Sequence, residues 1–302
     1  MTWIVRITAI LFGFVWGSFI HLVIYRLPRG LSIVRPGSSC LACRRLLAPY
    51  EYIPVLSYIG LRGRASCCGV QIGLRSFLVE WIGGGLSLAL VETLFLPSFE
   101  ERGVVLALAL FLIHFFMALF LIGAALIDAE WMILPDSITW VTGGLALLTY
   151  PWRGFTFVQS WGGALFGFMM IYIPFVALYQ RLRGRPGMGM GDAKISAVLG
   201  AWLGWQGALF ALLTGSLQGV LAAGLLYLIA GRVDEPVAVQ EERRKWLEAA
   251  AAGDSEAQEI LATDPLAREP LQGFRHVRIP FGPFLILGGL EYLFFVLFPD
   301  RL

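Results

Sequence analysis

Asp128, in Ile127-Asp128-Ala129-Glu130, and Asp192, in Gly189-Met190-Gly191-Asp192, each stand where a long apolar stretch meets a polar one. Ionisable groups at the edge of an apolar span are expensive, so function is their default reading. Two carboxyls that share one proton can hydrolyse a peptide bond: one deprotonates a water while the other, as the acid, polarises the scissile carbonyl. The two glycines before Asp192 allow close approach of neighbouring backbone and local unwinding at a helix N-terminus. Free amide groups and the helix dipole favour a carboxylate there. Asp136, after Pro135 and before Ser137-Ile138-Thr139, reads as a helix N-cap.

The elements that must hold these acids are membrane spans. Of 302 residues, 58% are hydrophobic and 15% charged, with mean hydropathy +0.74, against roughly 45–50% apolar content in a soluble domain. Apolar runs at 3–25, 76–96, 104–127, 137–151, 157–180, 191–204, 207–230 and 281–298 predict an all-α polytopic membrane protein of about eight transmembrane helices. The first run is too long for the core of a cleaved signal and lacks a small-x-small site, so it is expected to be retained, with the chain starting at Met1.

Arg26, Arg29, Arg35, Arg44, Arg45, Arg62, Arg64 and Arg75 crowd the segment after it, with only Glu51 as an acid. Such bunching fixes topology rather than suggesting nucleic acid. It places residues 26–75 and Arg181, Arg183 and Arg185 in the cytoplasm and the N-terminus outside. Both aspartates then fall at the cytoplasmic face, and the short, weakly charged loops 97–103 and 150–155 lie outside. Asp128 ends a helix and Asp192 begins one, so the dipole assigns Asp128 the shared proton, as acid, and Asp192 the role of base.

The division expected is a first span (1–25), a cysteine-containing cytoplasmic domain (26–75), a membrane core (76–230), a charged cytoplasmic insertion (231–279) and a last span (280–302). Within the insertion, Glu241 to Glu248 and the following alanines predict a surface helix, and Gly253-Asp254 a stop and a new N-cap. It is a solvated insertion or a docking site for a partner. The four cysteines, Cys40, Cys43, Cys67 and Cys68, lie in the cytoplasmic segment, where metal ligation is expected rather than disulfides. No internal repeat of 20 to 50 residues is visible, and glycine groups such as Gly83-Gly84-Gly85 and Gly162-Gly163 read as helix-packing contacts.

Asp128 to Asp136, Met188 to Lys194 with Ala201-Trp202-Leu203-Gly204-Trp205, and Ile279-Pro280-Phe281-Gly282-Pro283-Phe284 together resemble the prepilin peptidases. These are bifunctional leader peptidases and N-methyltransferases of type IV pili and type II secretion. Gly17-Ser18-Phe19, Tyr25-Arg26-Leu27-Pro28, Cys40-x-x-Cys43, Glu51 to Ser57 and Leu61-Arg62-Gly63-Arg64 are similar too, so the likeness covers nearly all but 231–275.

The resemblance implies an aspartic endopeptidase of the bacterial inner membrane with Asp128 and Asp192 as its catalytic pair. Its partners would be prepilin or pseudopilin precursors, cut after a glycine at the cytoplasmic face. The new N-terminal amine would then be methylated by S-adenosylmethionine, with Glu51 and Glu80 as participants or as ion-pair partners of nearby arginines. It also implies zinc on Cys40, Cys43, Cys67 and Cys68. Here Ala65 replaces the third family cysteine, so either the site is rebuilt around Cys67 or the fourth ligand is missing. His21 departs from the family's usual asparagine, and a histidine facing the interior of a span reads as a satisfied core residue. The competing readings are a protease alone with a structural cysteine loop, a proton-relaying transporter and an assembly scaffold.

Overall fold

A computed structural model describes all residues except 1, 36, 41, 185, 186, 232, 264, 268–277 and 300–302. Arg185 and part of the charged insertion therefore lie outside the described residues. The regular elements are helices: α1 (Thr2–Arg26), α2 (Leu74–Arg102), α3 (Val104–Trp131), α4 (Asp136–Leu148), α5 (Val158–Arg183), α6 (Met190–Ala230), α7 (Val237–Ala251), α8 (Ser255–Thr263) and α9 (Gly282–Leu297). Among the described residues the only β pairing is two isolated bridges, Ser39 with Leu46 and Arg64 with Gln71. The chain is an all-helical polytopic membrane protein in which α1, α2, α3, α5 and α6 are long and apolar enough to cross a bilayer.

α3 lies at the centre. It carries the most hydrophobic stretch of the chain, and more than half of that stretch is buried among the other helices. Phe115, Met117, Leu119, Leu121 and Ile127 are fully enclosed, packed with Ile195, Leu199 and Trp202 of α6 and Leu285 and Ile286 of α9.

Lipid is as apolar as the helices, so bundle cohesion rests on close backbone approach. At the α1–α2 crossing a Cβ on Gly13 would meet the carbonyl oxygen of Gly83 at 2.3 Å, and at α5–α6 one on Gly163 would meet that of Gly200 at 2.2 Å. The glycine groups read from the sequence as packing contacts do serve as such at these two crossings.

α6 has 41 residues, about 60 Å at 1.5 Å per residue, too long for one crossing. Gly204, at φ 78° and ψ 175°, breaks it into two helical halves, between the runs expected at 191–204 and 207–230. A break inside an apolar core strands carbonyls that must find donors. The buried Arg153 supplies them, donating to the carbonyls of Ala201 (3.2 Å), Trp202 and Ala146 (2.5 Å), and the Ser160 hydroxyl adds a bond to Ala201 O at 2.8 Å.

Two loop expectations are corrected. Residues 97–102 continue α2 as helix, and the reversal into α3 is confined to Gly103, whose φ of 81° suits a residue without Cβ. Asp136 is not a cap: Pro135 holds the N-cap position, and the Asp136 carboxylate pairs with Lys194 at 2.5 Å. In the insertion α7 forms as expected and packs against α3, with a buried Glu235–Arg243 pair at 2.5 Å. The Asp254 carboxylate accepts the Glu256 N–H at 2.9 Å, as a cap does.

Candidate active site

Asp128 sits in the last turn of α3, which ends where Met132 turns left-handed. Its carboxyl is buried, and Oδ2 accepts the backbone N–H of Gly282 at 2.9 Å, across 154 residues of sequence. Gly282 is the first residue of α9, so its amide lacks a helical partner and is free to bond a carboxylate. No side chain fits there: a Cβ on Gly282 would stand 2.7 Å from Asp128 Oδ2 and 3.1 Å from Leu134.

Asp192 occupies the third position of α6, and its Oδ2 accepts the Gly189 N–H at 3.2 Å. It is therefore not the N-cap, a position held by the extended Gly189; instead it reaches back over the first turn. Gly191 packs against Leu134, which a Cβ at 191 would meet at 3.0 Å. Leu134 thus touches the glycine beside Asp192 and the glycine bonded to Asp128, and the two carboxyls lie within electrostatic reach of each other. The Asp136–Lys194 pair ties the loop after Asp128 to the helix carrying Asp192. Two carboxyls set beside the same Leu134, one at the C-terminus of a helix and one at the N-terminus of another, can supply an acid and a base to activate a water.

The sequence reading missed Gly282 and Leu134 as positioning residues. The signal was present for the first, in a Phe-Gly-Pro that opens a span, but nothing local pairs it with Asp128. Around the site, Arg75 bonds Glu130 at 2.6 Å and the Arg29 guanidinium lies over Trp131 at 4.9 Å, joining the C-terminal ends of α1 and α3 to the start of α2. His21 is not a satisfied core residue, since its buried Nδ1 has no partner among the described residues.

Between α1 and α2 the four cysteine sulfurs lie within 4.8 Å of one another. Cys40 and Cys68 are 3.7 Å apart, Cys43 and Cys67 3.4 Å, and Cys67 and Cys68 3.8 Å. A tetrahedral ion with bonds of about 2.3 Å needs sulfurs about 3.8 Å apart, so the donor set fits zinc.

The backbone shows how the tetrad is built without a sulfur at Ala65. Cys40 N–H bonds Arg45 O and Arg44 N–H bonds Cys40 O; in the same way Ala65 N–H bonds Val70 O and Gly69 N–H bonds Ala65 O. The two hairpins repeat one pattern, a repeat that the sequence conceals, with Ala65 standing where Cys40 does and Cys67 reaching in from the turn. Neither Cys67 nor Cys68 has positive φ. Positive φ falls instead on the residues after the knuckles, Arg44 (59°) and Gly69 (69°).

Backbone N–H groups of Cys43 and Ala42 pull the Cys40 thiol down to about 6, while hydrogen bonding to Cys43 and burial push Cys67 up to about 12. Glu51 closes the domain, accepting the Ser66 hydroxyl, the Ala48 N–H (2.6 Å) and the Arg45 guanidinium (2.5 Å). Those donors hold its carboxyl below the usual range, and Arg45 is its ion-pair partner.

Residues 11–94 match the family model described as Bacterial Peptidase A24 N-terminal domain, and residues 115–224 that of the Type IV leader peptidase family. The chain is similar to the prepilin leader peptidase/N-methyltransferase of Myxococcus xanthus, 35% identical over 93% of this chain and 87% of that protein. It is also similar to those of Dickeya chrysanthemi, 36% identical over 70% and 80%, and Burkholderia pseudomallei strain K96243, 32% identical over 95% and 84%. No solved structure matches. With the cysteine hairpins inside the first match and both aspartates inside the second, the chain belongs to the type IV leader peptidase family.

Proposed function

We propose that Asp128 and Asp192 are the catalytic pair of a prepilin leader peptidase that is also an N-methyltransferase. The observation that carries this is the convergence of the two carboxyls from separate helix ends, with Gly282 N–H fixing one of them. Asp192, among the free amides of its helix start, takes the proton of the attacking water. Asp128, with Oδ2 held, gives its proton to the scissile carbonyl, and the returning proton goes to the leaving amine.

Eight crossings fit the architecture: the five long helices with α6 counted twice at Gly204, plus α4 and α9. The clustered arginines then put the N-terminus outside and the active site at the cytoplasmic face of an inner membrane. Substrates are prepilin or pseudopilin precursors, cleaved after a glycine, the residue that most readily leaves a helix. Purified enzyme in lipid, given a precursor peptide, should yield a shortened product carrying a methyl on its new N-terminus. Intact precursor, or cleavage elsewhere, would reject the reading.

Zinc is held by Cys40, Cys43, Cys67 and Cys68 and braces the domain. Metal analysis should find about one equivalent, and Cys67→Ser should lose it. Adding Ala65→Cys to that variant should restore zinc, because position 65 is the counterpart of Cys40. A double variant that binds no metal would refute the correspondence. S-adenosylmethionine supplies the methyl group, and the chain's residues have to hold the amine and take its proton.

A further inference from the structure

Two acids of the N-terminal region are buried, Glu51 and Glu80, and their surroundings separate them. Glu51 has Arg45. Glu80, on α2, lies against α1 at Gly17-Ser18, where a Cβ on Gly17 would meet Glu80 Cα at 2.8 Å. Its Oε2 accepts the Val55 N–H at 2.7 Å. Among the described residues no cation pairs with it. A carboxyl taken out of water without a counter-charge either holds a proton or takes a cationic partner that completes the site.

A strained backbone marks the same place. Val55 has φ 63° and ψ −52°, which a β-branched residue scarcely adopts, and this conformation is what turns its N–H onto Glu80. Backbone strain of this kind persists where surrounding structure imposes it, and it clusters at functional sites.

We propose that Glu80 receives the α-ammonium group freed by leader cleavage and takes its proton, so that the amine enters methyl transfer uncharged; this rests on the bifunctional reading above. The ammonium supplies both the missing charge and N–H donors for the carboxylate's remaining lone pairs, whereas a sulfonium would supply charge alone. The proton passes from nitrogen to a Glu80 oxygen. The lone pair it leaves forms the nitrogen–carbon bond as the carbon–sulfur bond of the sulfonium donor breaks. Sulfur keeps that bond's electrons, so a methylated ammonium and a neutral thioether result.

Glu80→Gln tests this, because glutamine keeps an oxygen for the Val55 N–H and loses only the charge. Without methyl donor, the full-length enzyme should bind a pre-cleaved peptide with a free N-terminal amine about tenfold more tightly than its N-acetylated form. Glu80→Gln should lose that preference. It should also methylate roughly 10²-fold more slowly, with leader cleavage unchanged. A variant that discriminates and methylates like wild type overturns the proposal, and one that also loses cleavage overturns it by marking Glu80 as part of the common fold. Wild-type enzyme that transfers no methyl would instead defeat the bifunctional reading.

Discussion

Replacing either Asp128 or Asp192 by asparagine is expected to lower leader cleavage by roughly 10²–10⁴-fold or more, because each amide removes one proton-transfer partner. The replacements are nearly isosteric, and in Asp128→Asn the amide oxygen could still accept the Gly282 N–H, so the protein should stay folded in the membrane and keep methylating a pre-cleaved peptide. A quantitative cleavage assay on a co-reconstituted precursor reads this directly. Near wild-type cleavage by either variant would remove that residue from the mechanism. Asp136→Asn is the contrast: its pair with Lys194 has side chains 60% and 31% exposed, and such pairs contribute only about 0–1 kcal/mol. Its cleavage should fall mildly.

Gly282→Ala should be almost as damaging as loss of an aspartate, although it adds one methyl group far from both acids in sequence. That methyl would sit 2.7 Å from Asp128 Oδ2, so the carboxyl or the start of α9 has to move. A displacement of about 1 Å at a catalytic group is enough for roughly 10²-fold. Because the group displaced acts on bound substrate, the loss should appear in kcat with KM little changed. Methyl transfer to a pre-cleaved peptide, which uses the other end of the molecule's chemistry, reports on folding. Wild-type kcat would show that the Gly282 N–H does not position Asp128.

Much of this is legible in the sequence because its signals are local. A run of apolar residues declares a span wherever it lies, and the Gly204 break shows as a gap between runs at 204 and 207. Asp128 and Asp192 announce themselves by standing at apolar boundaries. What cannot be read is what depends on packing between distant segments. Gly282 as a ligand of Asp128, Arg153 as the donor for stranded carbonyls of α6, and Leu134 as the wedge between two glycines all arise from contacts spanning tens of residues or more. Asp136 shows the converse: local sequence argues for a cap, and Lys194, brought close by α6, captures the side chain instead.

The paired cysteine hairpins bear on how such sites change over time. In the second hairpin the sulfur comes from Cys67, two positions after Ala65, which stands where Cys40 does in the first, and it still lies with the other three sulfurs. What defines the ligand is a point in space, not a position in the chain. A comparison that scores cysteines by position would count this ligand as lost, although the tetrad is whole. Turns of this kind let a metal ligand migrate through neighbouring positions, as long as some residue in the loop can still deliver sulfur to the same spot.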